Sequence, residues 1–252
     1  MSTTTKYFSL QGRVSMFQRL PNGKKGPGVW MQNVPKLDLA FEVSEETTKE
    51  SHSGNRMKDL VIEIEKSMTT AFTLHGFNID NLAMALWSSR YSVAAGTVSG
   101  ELLPAELDVG DYFALELQNT SEWSLVDSDD DSPAALVEGE HYAVISKFAG
   151  HGQLLKKTGL TLPIKASYSN AASNAMSLLT TRPDEHYLVF DGIETISKSR
   201  AYLEIPRHSA KPISSLSLIN NEGVGTMDIA GEALFDGSDA KYPLGKFVLG
   251  AS

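Results

Sequence analysis

Alternation of apolar and polar residues with a period of two organises most of this chain. Leu37, Leu39, Phe41 and Val43 alternate with Asp38, Ala40 and Glu42, and Leu60, Ile62 and Ile64 alternate with Val61, Glu63 and Glu65. A strand sends successive side chains to opposite faces, so each run is expected to form a half-buried strand. Further strands are expected at 111–117, 141–148, 160–168, 186–190, 201–205 and 226–234, with Gly110, Gly139, Gly192 and Gly223 marking turns between them. The stretch 44–59 between the first two strands is polar. It holds Glu45, Glu46, Lys49, Glu50 and the turn-forming Ser53-Gly54-Asn55, and it is expected as a projecting loop that contacts a partner.

A period nearer 3.6 appears after Asn78, where Ile79, Leu82, Ala83 and Leu86 form one apolar stripe and Ser88 and Ser89 end it. Asn78 is the expected cap of a helix that covers a sheet. A second short helix is expected at 171–179. No internal repeat and no Pro-, Gly- or Ser-rich linker divides the chain, so one domain over residues 1–252 is expected, with 121–139 as an acidic loop region. The expected fold is mainly β, a β-sandwich or partly closed barrel with one or two flanking α-helices.

Composition changes the picture chiefly by exclusion. With 41% apolar and 21% charged residues the chain can bury a core, which argues against disorder. It has no cysteine, which excludes disulfides, thiolate metal sites and a cysteine nucleophile. Lys and Arg number 22 against 31 Asp and Glu, and the net charge of -9 argues against a surface that grips phosphates. It is compatible with a polyanion passing an acidic wall without sticking. The start, Met1-Ser-Thr-Thr-Thr-Lys6, lacks the order of a signal peptide, and no apolar run reaches membrane-spanning length, so a product of the cytoplasm with no membrane partner is expected.

The motifs that could carry chemistry fail at specific positions. Asp127, Asp129, Asp131 and Glu138 match calcium-loop spacing, but Ser132 occupies the position that needs glycine and Pro133 follows it. Asn22-Gly-Lys-Lys-Gly-Pro-Gly28 lacks the spacing of a phosphate-binding loop and is expected as a mobile basic loop. Gly96-Thr-Val-Ser-Gly100 places its serine one position late for a nucleophile elbow, and His52, His75, His141, His151, His186 and His208 form no zinc pattern. Neither a catalytic residue nor a metal or cofactor site is expected. A hydrolase could arise only through residues distant in sequence.

Glu50-Ser-His-Ser-Gly-Asn-Arg56, the strand that follows, and Phe72-Thr-Leu-His-Gly-Phe-Asn-Ile-Asp-Asn-Leu-Ala-Met-Ala-Leu-Trp87 resemble, in their order, the tail tube proteins of long-tailed bacteriophages. That family carries an F-x-x-x-N-L-A-x-A-L-type helix, matched here at Asn81-Leu-Ala-Met-Ala-Leu86. Tyr187-Leu-Val-Phe-Asp-Gly192, a strand at 201–206 and Ile229-Ala-Gly-Glu-Ala-Leu-Phe-Asp236 extend the resemblance over most of the chain. Departures fall at Thr195, where the family often has asparagine, and at Pro206-Arg-His208, expected to interrupt a longer apolar strand.

The resemblance implies a structural virion protein of the tail, assembled in the host bacterial cytoplasm. Its copies would form hexameric rings stacked around a tape measure protein, bounded by tail terminator and tail-tip proteins, and would conduct DNA in transit without binding it specifically. On that basis Glu63 and Glu65, with Glu116 and Asp38, are candidates for the channel wall. Glu45, Glu46, Lys49, Glu50, Asn55 and Arg56, with the N-terminal arm at 1–8, are candidates for contacts between rings. A tailocin or type VI secretion tube subunit, and a non-catalytic tail accessory or decoration protein, are the alternatives.

Overall fold

The computed structural model describes residues 8–76, 78–129, 131–221 and 223–250. Residues 1–7 of the expected N-terminal arm lie outside them. The chain forms two compact units, one from 1–89 and 177–252 and a second from 90–176 inserted into it.

The first unit opens with β1 (Leu10–Arg19), β2 (Lys25–Trp30), β3 (Lys36–Lys49), β4 (Lys58–Leu74) and the helix α1 (Ile79–Ala85). The inserted unit contains β5 (Arg90–Val93), β6 (Gly96–Leu102), β7 (Tyr112–Ala114), β8 (Thr120–Val126), β9 (Tyr142–Ser146), β10 (His151–Leu154), β11 (Lys165–Asn170) and β12 (Ser173–Met176). The chain then returns to the first unit with β13 (His186–Glu194), β14 (Arg200–Ala210), β15 (Met227–Ala233) and β16 (Lys246–Leu249). The protein is thus mainly β. Its strand pairs are antiparallel, its sheets are open, and α1 is the one helix among the described residues.

In the first unit the strands run β2-β1-β13-β14-β15-β4-β3, with β16 also paired to β14. One face is apolar. Val14, Met16, Phe72, Leu188, Leu203, Ile205, Met227 and Ile229 meet in a single core, which α1 joins through Ala85. The helix starts where the sequence placed it, because the Asn78 side chain accepts a hydrogen bond from the Asn81 N–H and satisfies a donor that the first turn leaves free. Pro206 does not interrupt β14. The register shifts between His186 and Leu188 opposite it, and this bulge absorbs the proline, which has no N–H to give the ladder.

The inserted unit has its own core, in which Leu115, Leu125, Leu154, Ile164, Ala166 and Tyr168 pack together. Two three-stranded sheets, β7-β10-β9 and β6-β11-β8, supply it. β5 and β12 pair as a short ladder from Arg90↔Met176 to Val93↔Ser173. The expected helix at 171–179 is therefore a strand at its centre. Ser and Asn compete with helical hydrogen bonds, and here Ser92 Oγ donates to Asn174 Oδ1 across the ladder. The glycine-rich segment at 22–28 is also ordered. It is the tight turn of the β1–β2 hairpin, closed by Gly23 N–H to Leu20 C=O, and it continues as β2.

Candidate assembly interface

β15 accompanies β4 only as far as the Met68↔Ala233 pair. Beyond it β3 and β4 continue together, from Glu42↔Ser67 out to Lys49↔Lys58. At a strand rise of 3.3 Å per residue, this makes a two-stranded arm about 30 Å long. The segment 44–59 is accordingly a hairpin whose turn is confined to residues 50–57, not a long loop without structure.

Near the sheet the arm behaves as the alternation predicts, with Phe72, Thr70 and Met68 buried and Leu37 and Leu39 packed against the core. Farther out the expectation of half-buried strands fails. Phe41 is 73% exposed and Ile64 64%, and Val43, Leu60, Val61 and Ile62 are exposed as well. Among the described residues no other strand of the first unit pairs with that part of the arm, and its apolar side chains are left exposed.

A bulge then changes which residues share a face. Ser44 pairs with Glu65 and Glu45 with Glu63, leaving Ile64 as the extra residue. Lys66 Nζ contacts Glu63 Oε2, although residues three apart in a regular strand point to opposite sides. Lys66, Glu63 and Val61 therefore continue the face of Phe41 and Val43. Glu65, Ile62 and Leu60 continue the opposite face. The arm carries apolar side chains on both sides, staggered about the bulge.

This geometry sorts the residues selected from sequence. Asp38 and Glu65 share the outer face with Glu42 and, through the β4–β15 register, with Asp228 and Glu232. Glu63 does not belong there, because the bulge turns it to the other side. Glu116 lies in the inserted unit, where its N–H donates to Glu101 Oε1. Asp228 and Glu232 could have been found from the Ile229, Gly231, Ala233 alternation in β15, whereas the bulge has no counterpart in the pattern of apolar positions.

The six candidates for contact between rings all lie on the arm, Glu45, Glu46 and Lys49 at the end of β3 and Glu50, Asn55 and Arg56 in the turn. Glu50 organises that turn. Its carboxylate accepts from the Ser53 hydroxyl and from the N–H groups of Ser53 and His52, and its own N–H donates to Met57 C=O. The Ser53 side-chain bond, followed by the Ser53 backbone bond, holds the Glu50 carboxyl down at about 2.

The two edges of the large sheet differ. β2 carries Pro27, which has no N–H to offer a further strand. β3 runs for 14 residues without proline and is the last strand in the order, so among the described residues its outer edge is an open row of backbone donors and acceptors. Such an edge readily pairs with another chain.

The motifs set aside from sequence have structural roles. Asp127 is buried, and its carboxylate accepts from Thr161 N–H and Ala134 N–H, bonds that lower its pKa and close the loop after β8. The segment from Gly96 to Gly100 is part of β6. Among the described residues no group of three His, Cys, Asp or Glu is placed to hold a metal ion, and no helix is long and apolar enough to cross a membrane.

A search of curated proteins returns no match to this chain. A family model does match residues 7–249. The chain belongs to the family described as Protein of unknown function UCP028589.

Proposed function

We propose that this chain is the tail tube subunit of a long-tailed bacteriophage, a structural protein whose copies join into stacked rings, hexameric by that resemblance, around a channel for DNA. The observation that carries this proposal is the β3–β4 arm, with its unpartnered apolar faces beside an open strand edge. A two-stranded hairpin alone in water is marginal at best, and a long free edge invites pairing. Both features are resolved when copies of the chain cover one another. The fold would then be the sandwich type of tail tubes, with the large sheet completed by neighbouring copies.

Magnitudes favour assembly of many copies over a simple pair. Covering the six exposed apolar side chains of one arm would stabilise by roughly 1–2 kcal/mol each. Association costs about 4–15 kcal/mol in lost freedom. One arm contact is therefore close to balance, and a ring, in which every subunit contributes and receives contacts, lies well beyond it. At low concentration free subunits would stay dispersed until a tail tip supplies the first contacts, and at high concentration mass action would assemble them without one. The tape measure, tail terminator and distal tail proteins are the further partners of this proposal.

The acidic outer face of β3, β4 and β15 would form the channel wall. Lys36 pairs with Asp38 and Lys211 with Glu232, while Glu42 and Glu65 on the same face are exposed. Repulsion from such a wall reaches about 8–10 Å at physiological salt, enough to keep DNA from adhering as it slides.

The test is sedimentation of the purified chain at rising concentration, with and without a tail-tip complex, beside a variant in which residues 44–65 are replaced by Asn-Gly. Val43 and Lys66 are register partners, so a two-residue turn joins them without disturbing the sheet. The full chain is expected to form large assemblies and the shortened chain to stay monomeric and folded. Equal assembly by both would contradict the role given to the arm.

A further inference from the structure

The large sheet has its shortest junction at its centre, where Lys211 N–H to Ala230 C=O and Leu234 N–H to Arg207 C=O flank the paired residues. β14 and β15 share three register pairs, His208↔Ala233, Ser209↔Glu232 and Ala210↔Gly231. The other junctions are longer: β13 and β14 pair from His186 to Ile193, β1 and β13 from Leu10 to Gln18, and β15 and β4 from Met227 to Ala233. This short seam divides the first unit into two jaws. One is β3-β4-β15, which carries the arm; the other is β2-β1-β13-β14-β16.

The jaws share a core near the seam but gape away from it. Leu37 and Leu39 on one side and Gly12, Val14, Phe190 and Phe247 on the other line an open groove of about 450 Å³. Leu37 and Leu39 on one wall and Val14, Phe190 and Phe247 on the other are apolar, with the polar Gln11 and Asn33 beside them, so closure of the groove would bury apolar surface.

Lys211 pairs with Glu232 and Arg207 donates to Phe235 C=O across the seam nearer the surface; one buried side chain bridges it. His208 on β14 is fully buried, and its Nε2 lies 2.7 Å from Thr70 Oγ1 on β4, two strands away. It passes over Gly231 on β15, where a Cβ would fall 2.0 Å from the ring nitrogen, so only glycine lets the two jaws be tied in this way. Its other ring nitrogen, Nδ1, has no hydrogen-bond partner among the described residues.

We infer that the first unit is a hinged clamp: the β14–β15 seam is the hinge, the His208–Thr70 bond is its latch, and rotation of the arm-bearing jaw opens and closes the groove. Interfaces of this kind move by small rigid-body rotations about a few residues, and here about 30 Å of arm converts a small rotation into a larger displacement of its tip. The inference concerns the isolated chain and does not depend on what the arm binds.

The absence of cysteine makes the test direct. Spin labels on cysteines introduced at Gln11 and Ala40 report the distance between jaws by double electron–electron resonance. Labels at Ala40 and Asp228 report a distance within one jaw. The inter-jaw distribution is expected to be broader than the intra-jaw one, and to broaden further or shift with Thr70→Val, which removes the latch while keeping the side-chain shape. His208→Gln gives a second background in which the latch is altered. An inter-jaw distribution as narrow as the intra-jaw one, or one that Thr70→Val leaves unchanged in a folded protein, would overturn the inference.

Discussion

His208 makes stability depend on pH between neutrality and mild acid. Burial pushes its pKa down from 6.5 to about 4, with a smaller contribution from the neighbouring His186, whose pKa burial also lowers. The folded chain therefore keeps His208 neutral over a range in which the unfolded chain protonates it. Stability from this group is complete above pH 6.5, falls as the pH drops, and levels off below about 4. The loss between pH 7 and pH 5 should be about 2 kcal/mol. Urea denaturation at the two values measures it, and His208→Gln should flatten the dependence; an unchanged slope would show that other groups control it. Gly231→Ala places a methyl group against the His208 ring and should cost about 1–3 kcal/mol in the same assay. Neither residue stood out in the sequence, because a histidine in an alternating run reads as surface until its neighbours across the sheet are known.

At the scale of elements, the strands easiest to read were those with one buried face. β13, β14 and β15 fall on the runs containing Leu188, Leu203 and Ile229, since a sheet that packs on one side imposes alternation. β1 alternates too, at Val14 and Met16, but Gly12 weakens its signal and the glycines and proline of β2 obscure that strand altogether. The outer arm was misread for a different reason. Its polar residues suggested a loop, yet backbone pairing alone carries the ladder out to Lys49↔Lys58. Because Phe41 and Ile62 are exposed, Phe41→Asp and Ile62→Asp should change the stability of the free chain by no more than about 0.5 kcal/mol. Each should nevertheless abolish assembly, read by sedimentation. Assembly that survives both substitutions would remove the arm from the interface.

The whole molecule is built as one unit inserted in another, and no Pro-, Gly- or Ser-rich stretch marks the boundary between them. The insertion leaves and returns through a β ladder, which makes the crossing points adjacent without flexible connectors. In the first unit the cut ends are also held together, since Ser177 N–H donates to Ser89 C=O. Replacing residues 90–176 by a short turn should therefore leave the first unit folded, because its core contains no residue from the insertion. Cooperative thermal unfolding and retained β circular dichroism would be the expected result, and a molten chain the contrary one.

The most direct measurement is negative-stain electron microscopy of the purified full-length chain at rising concentration, and again after addition of a phage tail-tip complex. Rings or hollow tubes of uniform diameter are expected, with none from the chain whose arm is shortened at residues 44–65. A chain that stays dispersed at every concentration and does not grow from a tail tip would contradict the proposal that it is a tube subunit.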